Sequence, residues 1–169
     1  MSNFCLHLES TSFYSQNHKN LNNQLNFVQT ITQFMANFET RFKSYEWIEA
    51  IDFNKFHISG GCIVNSLCCE PFLDTSDQQV DVNFNGTSYA VFEDAVGNTF
   101  ANLTSAIAKK TDHYSGITLI KKDNGVYIVK LPFGIALSFH FKYVPAGTAP
   151  ISYILHSNDI DISKIAYTG

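Results

Sequence analysis

Two short stretches of the sequence carry residues that suit the binding of a phosphorylated ligand and a metal ion. In the first, Ser59-Gly60-Gly61-Cys62 follows the apolar segment Phe56–Ile58 and opens a helix-like segment, Cys62–Cys69. Adjacent glycines at such a junction let the backbone approach a ligand closely, and the N–H groups that begin a helix attract phosphate. In the second, Gln79 and Asp81 alternate with apolar residues, so they share one face of a strand. These residues predict a phosphate-binding turn at Ser59, Gly60, Gly61 and Cys62, with Asp81 on the strand as a candidate metal ligand.

The stretch from Gly60 to Asp81 resembles the signature of the nucleotidyltransferase superfamily typified by DNA polymerase beta. That signature has a Gly-Gly or Gly-Ser turn that opens a helix, then a strand with Asp-x-Asp, then a third carboxylate on a later strand. Gly60 and Gly61 match the glycines and Asp81 matches the second aspartate, whereas Gln79 stands in place of the first. The tail Asp159–Gly169 also resembles the closing segment of one sub-group. The resemblance implies a nucleotidyltransferase-like fold, a nucleoside triphosphate ligand and Mg²⁺ or Mn²⁺ as cofactor. It also implies nucleotide binding at Ser59, Gly60, Gly61, Cys62 and Gln79, with Asp81 as metal ligand and catalytic residue.

The departure at Gln79 affects the chemistry that the resemblance implies. Nucleotidyl transfer requires two divalent ions, about 3.5–4 Å apart, that share carboxylate ligands. A neutral amide in place of one carboxylate loses on the order of several kcal/mol of attraction at an effective dielectric constant of about 20. The segment Ala136–Val144, where the resemblance places the third carboxylate, contains no acidic residue, and its polar positions include Ser138 and His140. We therefore predict that the domain is catalytically inactive.

Three functions stay open on the sequence alone. An inactive domain that retains nucleotide or phosphate binding at the Gly60-Gly61 turn is favoured over an active metal-dependent enzyme that uses Asp81 with atypical ligands. The third is a protein-interaction domain with no ligand, because a glycine pair is often only a tight turn and a lone aspartate is often solvated. Of the glycines, we expect Gly61 to need the clearance or conformation that other residues lack. A thiol at a helix start can have a lowered pKa, but Cys62 has no evident partner beyond His57.

Periodicity predicts an α+β fold, with a mixed sheet flanked by helices that cover mainly one side. We expect a single domain over residues 20–169 after an irregular lead-in over 1–19. The predicted helices, from apolar positions three and four apart, are Asn20–Phe42, Cys62–Cys69, Ala90–Lys110 and a short one at Pro150–Leu155. The predicted strands, which alternate apolar and polar residues or flank an Asn-Gly turn, are Phe56–Ile58, Val80–Phe84, Ile117–Ile120, Val126–Leu131, Ala136–Val144 and Asp159–Tyr167. Phe56–Ile58 and Val80–Phe84 should lie side by side.

Composition limits the partners. The formal net charge of −4 argues against strong general nucleic-acid binding. No apolar run approaches the about 20 residues of a membrane span, and Met1–Ser10 shows no signal peptide. The cysteines lack paired spacing, which favours the cytoplasm or another reducing compartment. Lysines are concentrated in one region, where they are either solvated or face a polyphosphate: Lys109, Lys110, Lys121, Lys122, Lys130 and Lys142.

Overall fold

A seven-stranded mixed sheet forms the centre of the protein, with strand order β1-β7-β2-β3-β6-β5-β4. The computed structural model describes residues 26–72, 78–109, 116–122, 125–131, 137–143 and 165–169, and the backbone of 6–8. The strands are β1 (Leu6–Leu8), β2 (Phe56–Ser59), β3 (Gln78–Phe84), β4 (Thr118–Lys122), β5 (Val126–Lys130), β6 (Leu137–Lys142) and β7 (Ile165–Tyr167). Only β3 and β6 pair in parallel among these strands. The prediction of an α+β fold with a mixed sheet is confirmed.

In the part of the chain that the structure describes, three α-helices accompany the sheet: α1 (Ile31–Phe42), α2 (Gly61–Leu67) and α3 (Tyr89–Ala108). Hydroxyl side chains cap the two longer ones, because Thr30 accepts a hydrogen bond from the Gln33 N–H and Ser88 accepts one from the Val91 N–H. Two short 3₁₀ turns, Ser44–Glu46 and Ile48–Ala50, connect α1 towards β2. Among the described residues, no helix is both long enough and apolar enough to span a membrane.

Aromatic side chains join the helices to one face of the sheet. The Trp47 ring lies between Phe38 of α1 and Phe139 of β6, with centroid distances of 5.6 Å and 4.8 Å. Phe92 of α3 packs on Phe84 of β3 at 5.5 Å. All five rings are at most 2% exposed, and complete burial of such a side chain contributes about 1.5–3 kcal/mol. The described helices therefore cover this face of the sheet, while β3 and β6 turn their alternate, polar residues to the other.

The start of α1 differs from the predicted start at Asn20. Residues 26–28 run extended beside the segment that follows α2, with hydrogen bonds from the Val28 N–H to the Leu67 carbonyl and from the Cys69 N–H to the Asn26 carbonyl. The helix then begins at Ile31, behind the Thr30 cap. The helical spacing of apolar residues continues upstream of this cap, but there the backbone hydrogen bonds go to another segment. Residues 20–25 lie outside the described residues.

The sheet extends further than the sequence indicates at one edge. Leu6–Leu8 form β1 and pair antiparallel with β7, although the sequence predicts an irregular lead-in over 1–19. A strand this short has too little alternation to be recognised without its partner. The predicted helix Pro150–Leu155 and the first part of the predicted strand Asp159–Tyr167 lie outside the described residues, and Ile165–Tyr167 is a strand.

Candidate functional site

The glycine turn and the aspartate of the predicted motif, Asp81, lie next to each other at the end of β2. Strands β2 and β3 are antiparallel neighbours, as predicted, and their register sets Ser59 opposite Asp81. The next residue, Gly60, has φ 82° and ψ −155°, a backbone region that is essentially restricted to glycine. A Cβ atom at Gly60 would lie 2.8 Å from Asp81 Oδ2, which is closer than van der Waals contact. The glycine therefore permits both the turn and the position of the carboxylate.

The prediction that Gly61 is the critical glycine is wrong. A Cβ atom at Gly61 would meet no atom within 4 Å, and positive φ values occur at Gly60, Gly125 and Gly169 among the described glycines. Gly61 is the first residue of α2 and is exposed. The positive φ and the close approach to Asp81 both occur at Gly60, so Gly60 is the position that requires glycine.

Asp81 is paired with a cation from the neighbouring strand. Lys142 Nζ lies 2.8 Å from Asp81 Oδ1, with 40% of the lysine side chain and 20% of the aspartate side chain exposed. Gln79 Nε2 donates a hydrogen bond to the same oxygen. Gln79 therefore offers its amide N–H to Asp81, where an aspartate would offer a second negative charge. Oδ1 of the carboxylate thus has two donors from this chain.

Strand β6 provides the side chains that face Asp81 from the other side. The parallel register sets Gln79 beside Ser138, Asp81 beside His140 and Asn83 beside Lys142. Ser138 Oγ and His140 Nε2 are 3.2 Å apart, within hydrogen-bond distance. Partial burial lowers the pKa of His140, although the nearby Asp81 charge opposes this shift. The strand on which the resemblance expects a third carboxylate lies beside β3, and it supplies a hydroxyl, an imidazole and an ammonium group.

These residues do not fit a pair of divalent ions. Mg²⁺ requires several oxygen ligands, preferably anionic, in octahedral geometry, and Mn²⁺ also favours carboxylate oxygens. Across the described ranges, no group of three or more His, Cys, Asp and Glu side chains is arranged to hold a metal ion. Asp81, the one carboxylate that the described strands place on this face, already accepts an ammonium and an amide N–H. The donor set around Asp81 is that of a polar cluster with an internal ion pair.

Cys62 faces the core. Its side chain is 1% exposed and its Sγ lies 3.6 Å from the Ser59 carbonyl oxygen. Desolvation, followed by the negative charge of Asp81, raises the pKa of the Cys62 thiol to about 12. The thiol at this helix start therefore has a raised and not a lowered pKa.

Buried polar residues support the site from β2. The Ser59 hydroxyl, 3% exposed, accepts a hydrogen bond from Asn83 Nδ2 at 2.9 Å, so it joins β2 to β3. His57 is fully buried, and its Nδ1 lies 2.6 Å from Asn85 Oδ1. Because an amide oxygen only accepts, Nδ1 donates. Burial lowers the pKa of the His57 ring and so favours its neutral form. The Ser59 side chain is thus engaged in a contact between β2 and β3, and its ligand contact stays a prediction.

Of the predicted residues, the structure brings Gly60, Gln79 and Asp81 together and turns the side chain of Cys62 away. Sequence reasoning missed Lys142 as a partner of Asp81. The alternation of Ser138, His140 and Lys142 was a signal for one shared face, but the parallel register with β3 is needed to place that face beside Asp81.

The chain was compared with protein-family models and with curated proteins. No protein-family model matches the chain, and a search of curated proteins finds no match. The resemblance to nucleotidyltransferases therefore depends on the residues from Gly60 to Asp81 and on the order of the elements around them.

Proposed function

We propose that this chain is a nucleotidyltransferase-like domain that has lost nucleotidyl transfer and acts as a binding module. The observation that carries the proposal is the ion pair between Lys142 Nζ and Asp81 Oδ1 at 2.8 Å. In a two-metal mechanism this carboxylate would hold divalent ions that activate the attacking hydroxyl and neutralise the triphosphate. Here an ammonium group already neutralises it.

Restoring a metal ion at Asp81 would require more than displacing Lys142. Gln79 adds no charge, and the facing positions on β6 are Ser138 and His140, which is a poor ligand set for hard cations. Each missing carboxylate removes attraction on the order of several kcal/mol at an effective dielectric constant of about 20. Mg²⁺ or Mn²⁺ therefore has no catalytic role in the proposed function.

The ligand of the module is proposed to be a nucleoside triphosphate at the edge of the Gly60-Gly61 turn. Gly61 is exposed and has open space where a side chain would project, so a ligand can approach its backbone closely. A protein partner on the remaining surface is compatible with the same proposal. The described cysteines Cys62, Cys68 and Cys69 are unpaired, which favours a reducing compartment such as the cytoplasm.

An incorporation assay tests the absence of transfer. The wild-type chain is incubated with radiolabelled nucleoside triphosphates and Mg²⁺ or Mn²⁺, beside Asp81→Asn and the control Asp94→Asn, which changes an exposed carboxylate of α3. We expect no incorporation above background for any of them. Incorporation by the wild type and by Asp94→Asn that Asp81→Asn abolishes would show an active enzyme and refute the proposal.

A further inference from the structure

The sheet face opposite the described helices carries mainly positive charge in β3, β4, β5 and β6, although the chain as a whole has a net charge of −4. Gln79, Lys122 and Lys130 are exposed there, whereas Asn83 is buried. Cross-strand partners point to the same side of a sheet, so the registers assign the side chains of this face across β3, β6, β5 and β4. We call it the open face. Its charged residues in these strands are Asp81, Lys142, Lys130 and Lys122. Three ammonium groups thus accompany one carboxylate.

A compact group of donors lies at the centre of the open face. His140 of β6 lies beside Asp81 of β3. Ser138, also on β6, is within hydrogen-bond distance of the His140 ring and lies opposite Lys130 of β5. The register thus sets Asp81, Ser138, His140 and Lys130 in neighbouring positions across β3, β6 and β5. We call Lys130, Ser138, His140 and Lys142 the donor cluster.

We propose that the donor cluster binds a polyphosphate anion directly, without a divalent ion. This inference rests on the proposed function, because it assigns the ligand chemistry of the same site. The Lys142 side chain is 40% exposed and contacts Asp81 through one atom pair, so its ammonium can also donate to a phosphate oxygen from the solvent side. Lys130 is exposed and adds a second cation. Ammonium groups bind phosphate as point charges and need no metal to do so.

The aromatic side chains of these strands bear on which part of a nucleotide is recognised. In the described residues of β3, β4, β5 and β6, the Phe and Tyr rings alternate to the buried face: Phe84, Tyr127, Phe139 and Phe141. The open face carries Ile120, Ile128 and the partly buried His140 ring. Single-stranded nucleic acids and their bases are commonly bound by stacking on exposed aromatic rings. Because the described open face is rich in cations and has no exposed Phe, Tyr or Trp, the inference assigns recognition to the phosphate chain.

Calorimetric titration of ATP into the chain at low ionic strength tests the inference. The titration is carried out in EDTA and again with excess Mg²⁺. We expect saturable binding in EDTA that weakens when Mg²⁺ neutralises part of the phosphate charge. Inorganic tripolyphosphate should compete with ATP. Lys142→Met and Lys130→Met should each weaken binding about tenfold, because each removes a charge-assisted hydrogen bond. Lys109→Met, at the exposed end of α3, is the matched control and should leave the affinity unchanged.

The variant Asp81→Asn gives the sharpest contrast, and it does not depend on whether the lysine variants fold. In a metal site, removal of the carboxylate abolishes nucleotide binding. In the donor cluster it removes the one negative charge, so metal-free ATP should bind more tightly. The inference is overturned if binding requires Mg²⁺, if Asp81→Asn abolishes it, if tripolyphosphate does not compete, or if there is no binding. The last result would leave the loss of transfer untouched, since the incorporation assay tests that separately.

Discussion

At the scale of single residues, Gly60 permits both the turn after β2 and the position of the Asp81 carboxylate. Its φ of 82° and the 2.8 Å that would separate an added Cβ from Asp81 Oδ2 are two independent reasons for glycine. Gly61 has neither. The pair therefore offers a matched test in which the same substitution is made at adjacent positions.

We predict that Gly60→Ala lowers the free energy of unfolding by about 1–3 kcal/mol, the usual cost of a strained backbone conformation. Gly61→Ala should change it by no more than about 0.5 kcal/mol. Urea denaturation of both variants measures the difference. Equal effects, or a larger loss at Gly61, would contradict the assignment of the turn.

Burial of His57 links stability to pH. Desolvation lowers the pKa of His57, although its hydrogen bond with Asn85 opposes the shift, so the unfolded chain binds the proton more readily than the folded one. The stability that this neutral ring provides is therefore complete above the unfolded pKa of about 6.5 and is lost as the pH falls below it.

We predict that the free energy of unfolding decreases from about pH 6.5 downwards and that His57→Gln flattens this slope. His140→Gln should flatten it less, because partial burial also lowers the pKa of His140 but its ring is only half-buried. Denaturation at a series of pH values gives the slopes. A wild-type slope that survives in His57→Gln would show that other groups cause it.

At the scale of elements, side chains of α1 hold the end of α2 in place. Arg41 donates to the carbonyls of Asn65, Cys68 and Cys69, with distances of 2.9 Å to the latter two. Asn37 donates to the Ser66 and Cys68 carbonyls at 3.0 Å and 3.1 Å. These contacts satisfy carbonyls that the end of a helix leaves without partners. They also fix the helix that follows the Gly60 turn.

We predict that Arg41→Met, which keeps the apolar stem, lowers the free energy of unfolding by about 2–4 kcal/mol, because hydrogen bonds to a charged group contribute about 1.5–3 kcal/mol each and are not additive. Arg41→Lys should recover only part of the loss, since an ammonium lacks the planar fork. The control is Glu39→Gln, an exposed change on the same helix. Hydrogen exchange should show faster exchange in α2 for Arg41→Met. Unchanged α2 protection would contradict this role.

The elements that the sequence predicts well are those whose pattern is local. The stripe of α3 and the alternation of β3 and β6 each follow from one segment and its buried face. The start of α1 could not be found this way, because residues 26–28 bond to the segment after α2. In the same way the motif predicts that Gly60 and Asp81 meet, but Lys142 joins them only through the parallel register of β3 with β6.

At the scale of the whole molecule, the sheet separates two environments. The face under α1 and α3 is built from aromatic and aliphatic side chains, and the open face concentrates lysines around Asp81. A net charge of −4 therefore does not describe the surface that a ligand would meet. The central claim is that a lysine of this chain, and not a bound metal ion, neutralises the carboxylate at the centre of that surface.

Calorimetric titration of Mn²⁺ into the wild-type chain tests this claim most directly. We predict no saturable binding in the millimolar range, and the same trace for Asp81→Asn, because the Lys142 ammonium already lies 2.8 Å from Asp81 Oδ1. Saturable binding by the wild type and by the control Asp94→Asn, lost in Asp81→Asn, would contradict the claim and restore Asp81 as a metal ligand.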